Sequence, residues 1–317
     1  MNTITLSAAQ ITCKDGKVSE NLEHAGTLAL QASQQGAQLL LFPEFMSQGY
    51  RLTPELWDSA EPFDGPTTNW LSETARKLGM YIGTSFLEAK DCHFLNTFAL
   101  AEPSGKIVGA VRKRNPSIWE AYFFRGERGN PYLDTDLGRI GVGICFDNHT
   151  YEVASDIARG KIDLMLMPHS YCTPTLPTKI TSQADIDRLN NLPVRVARLY
   201  NEWFGVPVVL CNKSGPWDSP VPNTMLGVPT GYHFSGRSLI FNANGALIAE
   251  LGEDEAVITG QVDLDETIKK QVEPSKYGRY IYPGSFGREI LRIIETAGAL
   301  NYTYNSLRSQ KARQALG

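Results

Sequence analysis

The chain is expected to fold as an α/β protein, and two patterns carry that expectation. Short, mostly apolar segments of strand character alternate with amphipathic helical segments along most of the 317 residues. The strands are brief and nearly continuous in apolar residues, as in sheets covered by helices on one face and packed on the other. Composition agrees: 42% hydrophobic and 20% charged residues suffice for a large core.

Residues 4–9 form the first expected strand, followed by a helix over 19–33 with Leu22, Ala25, Leu28 and Ala29 on its apolar side. Residues 38–42 read as a strand and 67–78 as a helix with Trp70, Leu71 and Ala75 in phase. Strands are expected at 81–87, 97–101 and 106–112, with Pro103-Ser104-Gly105 as a turn. The second half repeats this texture, with a strand at 140–146, a helix at 151–159, a strand at 164–167, a long helix at 184–204 interrupted near Pro193, and a strand at 207–211. Residues 238–241 and 246–251 flank the turn Asn242-Ala243-Asn244-Gly245, and a strand at 256–262 follows. No linker divides the chain before about residue 265, so residues 1–265 read as one domain. Residues 266–317 differ: Pro, Gly and Tyr recur through 277–287, then a helix covers 288–297. This C-terminal extension is expected to pack on the domain or on a second subunit.

Charge narrows the function classes. The net charge is -4, with no Lys/Arg run, so neither nucleic acid nor an anionic membrane is an expected partner. No stretch of about 18 apolar residues spans a bilayer. Met1-Asn2-Thr3-Ile4 shows no basic n-region or apolar h-region, and a cytoplasmic location is expected. The five cysteines are widely spaced without C-x-x-C, which argues against a disulfide framework. The five histidines lack paired spacing, so no metal site is expected.

Cys145 ends the run Gly141-Val142-Gly143-Ile144-Cys145-Phe146-Asp147, read as a strand delivering a thiol to a strand-to-helix junction. Backbone N–H groups and a helix dipole there favour a thiolate. Glu44 closes Leu39-Leu40-Leu41-Phe42-Pro43-Glu44. It reads either as a solvated strand-end acid or, given Phe45-Met46 behind it, as a carboxyl pressed against apolar groups and suited to base catalysis. Lys113 closes Ile107-Val108-Gly109-Ala110-Val111-Arg112-Lys113. It is an exposed strand end like Arg112 and Arg114, or, if alternation holds, it faces the core with Val111 while those two arginines face outward. Glu120 lies in the aromatic segment Pro116-Ser117-Ile118-Trp119-Glu120-Ala121-Tyr122-Phe123-Phe124, as a structural ion pair or a site acid. Together Glu, Lys and Cys suit acyl transfer through a thioester: a thiol to attack, a base for its proton and a cation for the oxyanion. Two carboxylates and a thiolate against one ammonium would leave two net negative charges, so a proton is expected to stay on the Cys145/Glu44 pair at rest.

These segments resemble the signature of the nitrilase superfamily of carbon–nitrogen hydrolases. Pro43-Glu44 with Gly49-Tyr50 resembles its first glutamate motif. Lys113 followed by Pro116, Glu120, Phe124, Gly126 and Glu127 resembles the lysine motif with its second glutamate. Gly143-Ile144-Cys145-Phe146-Asp147 with Glu152 resembles the cysteine elbow, and His233-Phe234-Ser235-Gly236-Arg237-Ser238 a later F-x-G-x-S segment. The resemblance implies a four-layer α-β-β-α sandwich, a homodimer and no cofactor. It implies that Glu44 deprotonates Cys145, protonates departing ammonia and activates water. It also implies that Lys113 and the Phe146 N–H hold the oxyanion, while Glu120 orients Lys113. Where relatives carry an aromatic residue and Pro before the later glutamate, Thr150-Tyr151 stand here.

Cys145-Phe146-Asp147 resembles the amidase and carbamoylase branches, so the expected substrate is a small linear amide or N-carbamoyl compound, with a nitrile as the alternative. A non-catalytic binding or scaffold protein of the same fold, or a redox-sensing Cys145, is the reading from another class. Neither accounts for Glu44, Lys113 and Glu120 together. Candidate substrate contacts are Tyr50, Trp119, Asn148, His149 and Tyr171, with His149 also readable as a surface residue of a first helical turn. Loops 171–182 and 215–232, rich in Pro, Thr and Gly, are expected to border a pocket or cover an edge.

Overall fold

In the computed structural model, which describes residues 2–178, 181–220, 231–284 and 287–317, two six-stranded sheets face each other. One sheet places β1 (Asn2–Gln10), β2 (Leu39–Leu41), β3 (Tyr81–Lys90), β4 (His93–Ala101) and β5 (Ile107–Arg112) side by side, with β15 (Ala256–Leu264) beyond β1. The other runs β6 (Tyr132–Thr135), β7 (Gly138–Val142), β8 (Leu164–Pro168), β10 (Val208–Cys211), β13 (Leu239–Phe241) and β14 (Leu247–Glu250). A small sheet of β9 (Cys172–Pro174), β12 (Tyr232–Phe234) and β11 (Pro216–Trp217) stands apart.

The layering follows from side-chain alternation. Leu39 and Leu41 point into the space between the sheets with Ile4, Leu6, Ile140, Val142, Leu166 and Val209. Leu40 points the other way, toward α1 (Val18–Gln34) and α2 (Pro66–Leu78), where it joins Leu22, Ala25, Leu71 and Ala75. On the far face of the second sheet, Met165, Met167, Val208 and Leu210 pack under α3 (Tyr151–Gly160) and α5 (Leu192–Phe204). A strand buried on both faces has no use for polar positions, which explains the unbroken leucine run. The result is the expected four-layer α-β-β-α sandwich.

Direction positions the site. β1, β2 and β3 are parallel, and β5 runs the same way because β4 is antiparallel to both its neighbours. β7, β8 and β10 are mutually parallel. Each of these two sets discharges its chain at a common edge, the usual place for a site in parallel sheets.

Several expectations are corrected. β7 stops at Val142, and Cys145 opens a 3-10 turn, Cys145–His149, instead of ending a strand. The long helix is two, α4 (Gln183–Asn190) and α5, divided at Asn191 because the proline at the start of α5 cannot donate within a continuous helix. β6, β9 and the 3-10 turns Pro54–Ser59 and Ile118–Tyr122 are additional. The C-terminal segment holds two helices, α6 (Gly287–Tyr304) and α7 (Ser306–Leu316). Residues 179–180 and 221–230 of the two expected pocket loops lie outside the described residues.

The C-terminal segment crosses the Cys145 turn: Tyr151 N donates to Arg279 O at 2.8 Å and Ile281 N to His149 O at 3.2 Å. α6 then lies on the Ile118–Tyr122 turn, so closely that a Cβ on Gly298 would come within 2.6 Å of the Tyr122 ring.

Ile140 is fully buried in the inter-sheet layer, whereas Leu30 on α1 is 48% exposed. Ile140→Ala is expected to cost about 2–5 kcal/mol in urea unfolding and Leu30→Ala less than about 0.5 kcal/mol. Equal midpoint shifts would contradict the layer assignment.

Candidate active site

Glu44 lies three residues beyond β2 and is fully buried. Its Oε1 accepts from Lys113 Nζ and Asn96 Nδ2, both at 2.7 Å, and its Oε2 from the Ser170 N–H at 2.9 Å. The Ser170 hydroxyl also donates to Glu44 O at 2.8 Å, which ties the end of β2 to the chain leaving β8.

Lys113 follows β5 directly and is fully buried. Alternation places it inward with Val111, as one of its two sequence readings anticipates. Arg112 is partly buried and pairs with the buried Glu88, and Arg114 does not face solvent either, its side chain being 9% exposed and bound to Asp156. Strand alternation ends at Arg112, so it no longer governs residue 114. The Lys113 ammonium reaches Glu44 and both oxygens of Glu120, at 2.9 and 2.7 Å. Glu120 sits in the Ile118–Tyr122 turn as half of a capping box, its Oε2 accepting the Ser117 N–H at 2.5 Å. The Tyr50 hydroxyl donates to Glu120 Oε1.

Cys145 is buried and holds φ +47°, a left-handed conformation uncommon for a side chain other than glycine. The turn is pinned at two points. Asn148 Nδ2 donates to Gly143 O at 2.6 Å and packs so tightly that a Cβ at Gly143 would lie 1.8 Å from Asn148 Oδ1. Asp147 accepts from Arg114 N at 2.9 Å and from Asn115 N and Nδ2 at 2.9 and 2.8 Å, stapling the cysteine turn to the chain after Lys113.

The electrostatics differ from the helix-dipole expectation. The 3-10 turn is only five residues long and α3 begins at Tyr151, so no long helix points at the thiol. Burial, then the Glu44 charge, push the Cys145 thiol well above its ordinary range, against the pull of Lys113 and a hydrogen bond from the Ser170 backbone. Burial works against the Lys113 ammonium too, but Glu120, Glu44 and Cys145 outweigh it and raise its pKa. Burial, assisted by Glu44 and opposed by Lys113, raises Glu120 to about 7. The resting site therefore keeps its thiol protonated, as expected from the charge count, and Glu120 is a second place where a proton can reside.

Other predicted residues fall into two groups. The Tyr50 hydroxyl is committed to Glu120, and its ring lies against Trp217 and Phe234. Trp119, buried, packs in the same aromatic cluster. His149 is buried rather than at the surface; its Nδ1 meets the Tyr282 hydroxyl at 2.7 Å and its ring stacks on Tyr171 and Phe146. Asn148 Nδ2 also reaches His169 Nε2 at 3.1 Å. The backbone N–H of Phe146 belongs to the first turn of its helix, where intrahelical acceptors are missing.

Sequence reasoning missed Asn96, Ser170, His169, Arg279 and Lys213. Asn96 is an amide inside the apolar run of β4, a signal that was available. Lys213 lies two residues beyond β10; it is fully buried, donates to Phe45 O at 2.9 Å and lies over the Tyr50 and Phe234 rings. Its pKa is lowered, chiefly by burial. Arg279 lies 5.1 Å above the Phe146 ring and donates to Asn115 Oδ1 at 3.1 Å. Among the described residues no cluster of His, Cys, Asp and Glu could hold a metal ion, and no helix is long and apolar enough to cross a membrane.

The carbon–nitrogen hydrolase family profile matches residues 5–270. An N-carbamoylputrescine amidase of Solanum lycopersicum is 30% identical over 282 residues, covering 84% of this chain and 89% of the relative. An omega-amidase of Xenopus laevis is 27% identical, covering 78% of this chain and 84% of its own. A solved carbon–nitrogen hydrolase from Helicobacter pylori superposes with TM-score 0.73 at 22% identity, over 83% of this chain and 90% of that one. The chain belongs to the carbon–nitrogen hydrolase family. It is an enzyme that hydrolyses amide-type carbon–nitrogen bonds.

Because the native Glu120 carboxyl titrates at about 7, above its ordinary 4.5, the folded protein holds a proton that the unfolded chain has released between those values. This group's contribution to stability is complete below pH 4.5 and declines as pH rises through about 7. Glu120→Gln is expected to flatten the change in urea midpoint between pH 5 and pH 8. An unchanged slope would place the titrating group elsewhere.

Proposed function

We propose that Cys145 is the nucleophile, Glu44 its base, and Lys113 with the Phe146 N–H the oxyanion clamp, acting on a small linear amide or N-carbamoyl compound. The observation that carries this reading is the buried chain from Glu120 through Lys113 to Glu44, with the protonated Cys145 within its electrostatic reach. Glu44 takes the thiol proton as Sγ bonds to the carbonyl carbon, and the developing oxyanion is held by Lys113 and the Phe146 N–H. The carbon–nitrogen bond breaks as Glu44 returns the proton to the departing nitrogen, leaving a thioester or its carbamoyl equivalent. Glu44 next takes a proton from water as its oxygen bonds to the carbonyl carbon; the carbon–sulfur bond then breaks, Glu44 returns that proton to Sγ, and the carboxylic or carbamic acid leaves. Glu120 and Tyr50 keep the ammonium in register without touching substrate.

Asn148 and His149, within the Cys145 turn, and Tyr171, stacked on His149, are the proposed substrate contacts, with Trp119 a further proposed contact. The N-carbamoylputrescine amidase and omega-amidase relatives support a small linear substrate. The proposed assembly is a cytoplasmic homodimer, with residues 1–265 as the hydrolase domain. Ile293, Leu300 and Tyr304, 69%, 56% and 83% exposed on α6, give the extension an apolar surface that a second subunit can cover.

Cys145→Ser is expected to abolish ammonia release and the covalent adduct seen by intact-protein mass spectrometry; undiminished turnover would overturn the mechanism. An N-carbamoyl substrate is expected to yield carbon dioxide with ammonia and a simple amide ammonia alone, and turnover confined to nitriles would reassign the branch. Lys113→Ala is expected to lower kcat about 100- to 1,000-fold, as loss of an oxyanion donor does. A change confined to KM would remove Lys113 from the oxyanion role.

A further inference from the structure

A cavity of about 650 Å³ is lined by residues of α6 and of the segment 114–126, and neither Glu44, Lys113 nor Cys145 lines it. Arg114, Arg125, Arg279 and Arg292 line it, and Glu295 is the carboxylate among the lining residues. This concentration of guanidinium groups occurs in a chain whose net charge is -4.

The four arginines are not equally occupied. Arg114 is bound to Asp156 at 2.5 Å, and Arg279 to Glu295 and Asn115. Arg125 has only a share of Glu127, at 3.5 Å, because that carboxylate also serves Lys90 at 2.9 Å and Arg112 at 3.3 Å. Its Nε is buried and has no hydrogen-bond partner among the described residues. Arg292 is exposed and forms no ion pair among the described residues. A buried donor without an acceptor is costly, and two under-neutralised guanidinium groups lining one cavity from its two sides call for an acceptor with charge.

We propose that this cavity binds a small polyanion, a molecule with two or more carboxylate or phosphate groups, through Arg125 and Arg292 with Arg279 between the two chain segments. The planar guanidinium fork matches carboxylate and phosphate oxygens in pairs, and the volume lies in the range of small-molecule sites. The cavity wall includes Ala121, beside Glu120, and Glu295, whose Oε1 also accepts the Ile118 N–H at 3.3 Å. A bound anion therefore lies against the turn that presents Glu120.

The test is calorimetric titration of the full chain with citrate and, separately, inorganic phosphate, at ionic strength held constant with sodium chloride. Saturable binding of citrate, phosphate or both is expected, and the two arms separate a carboxylate from a phosphate ligand. In the Arg125→Ala/Arg292→Ala double variant the affinity is expected to fall about tenfold or more. Ammonia release without added anion is expected to be unchanged, which shows that the variant is folded. The exposed Arg292→Ala alone provides a second variant, with a smaller loss in affinity. Absence of saturable binding by either anion, or equal affinity in wild type and double variant, would overturn the proposal.

Discussion

The buried Lys113 ammonium is the constraint around which the rest of the structure is arranged. Removing an ammonium from water costs several kcal/mol, and one counter-charge in good geometry scarcely repays it. Here two carboxylates close on the same nitrogen, one from the end of β2 and one from the Ile118–Tyr122 turn. Their remaining acceptor capacity is taken up by Tyr50, Ser117, Asn96 and Ser170. The group has all four carboxylate oxygens engaged, which fixes the geometry around the ammonium, while Asn96 Oδ1 is left without a partner among the described residues. It also carries one excess negative charge when both acids are ionised. Burial first, and then that excess, keep the neighbouring thiol neutral until a substrate offers a place for charge to develop.

The sandwich supplies the convergence that this network needs. Parallel strands from two different sheets release their chains at common edges, so residues distant in sequence meet with little intervening loop. Asp147 then joins the two halves. It belongs to the cysteine turn, yet its hydrogen bonds go to the two residues after Lys113. The left-handed backbone at Cys145 persists because Gly143, Asn148 and Asp147 leave the turn no alternative.

Much of this was legible in the sequence. Glu44 and Lys113 each follow an apolar run closely, and a charge at the end of a buried strand has few places to go. Glu120 stood out as an acid among aromatics. The layer order could be read because Leu39, Leu40 and Leu41 face alternate sides of a strand buried on both. Partners set by long-range packing were not legible. Nothing local says that Asn96 meets an acid 52 residues earlier, or that the Tyr50 hydroxyl is taken by Glu120. The end of β7 was misplaced because the apolar pattern continues through Ile144 while the backbone has already turned. Hydrophobicity records burial there and says nothing of φ. His149 looked like a surface residue because its cover comes from Tyr282, 133 positions away.

That distance has a consequence for how the protein is made. The end of the cysteine turn is tied down by the Ile281 N–H donating to His149 O and by Arg279 O accepting from Tyr151 N, and the turn bearing Glu120 by Glu295, 177 positions downstream of Ile118. On a ribosome the sandwich strands through β15 emerge before these covering residues do. Domains commonly begin folding as they emerge, at about 5–20 residues per second. The nascent chain therefore passes through a stage in which its sheets can pair while the thiol and its supporting turn still lack their final cover. Release of the last segment completes both at once, so the chemistry is enclosed only once residues 279–295 have arrived.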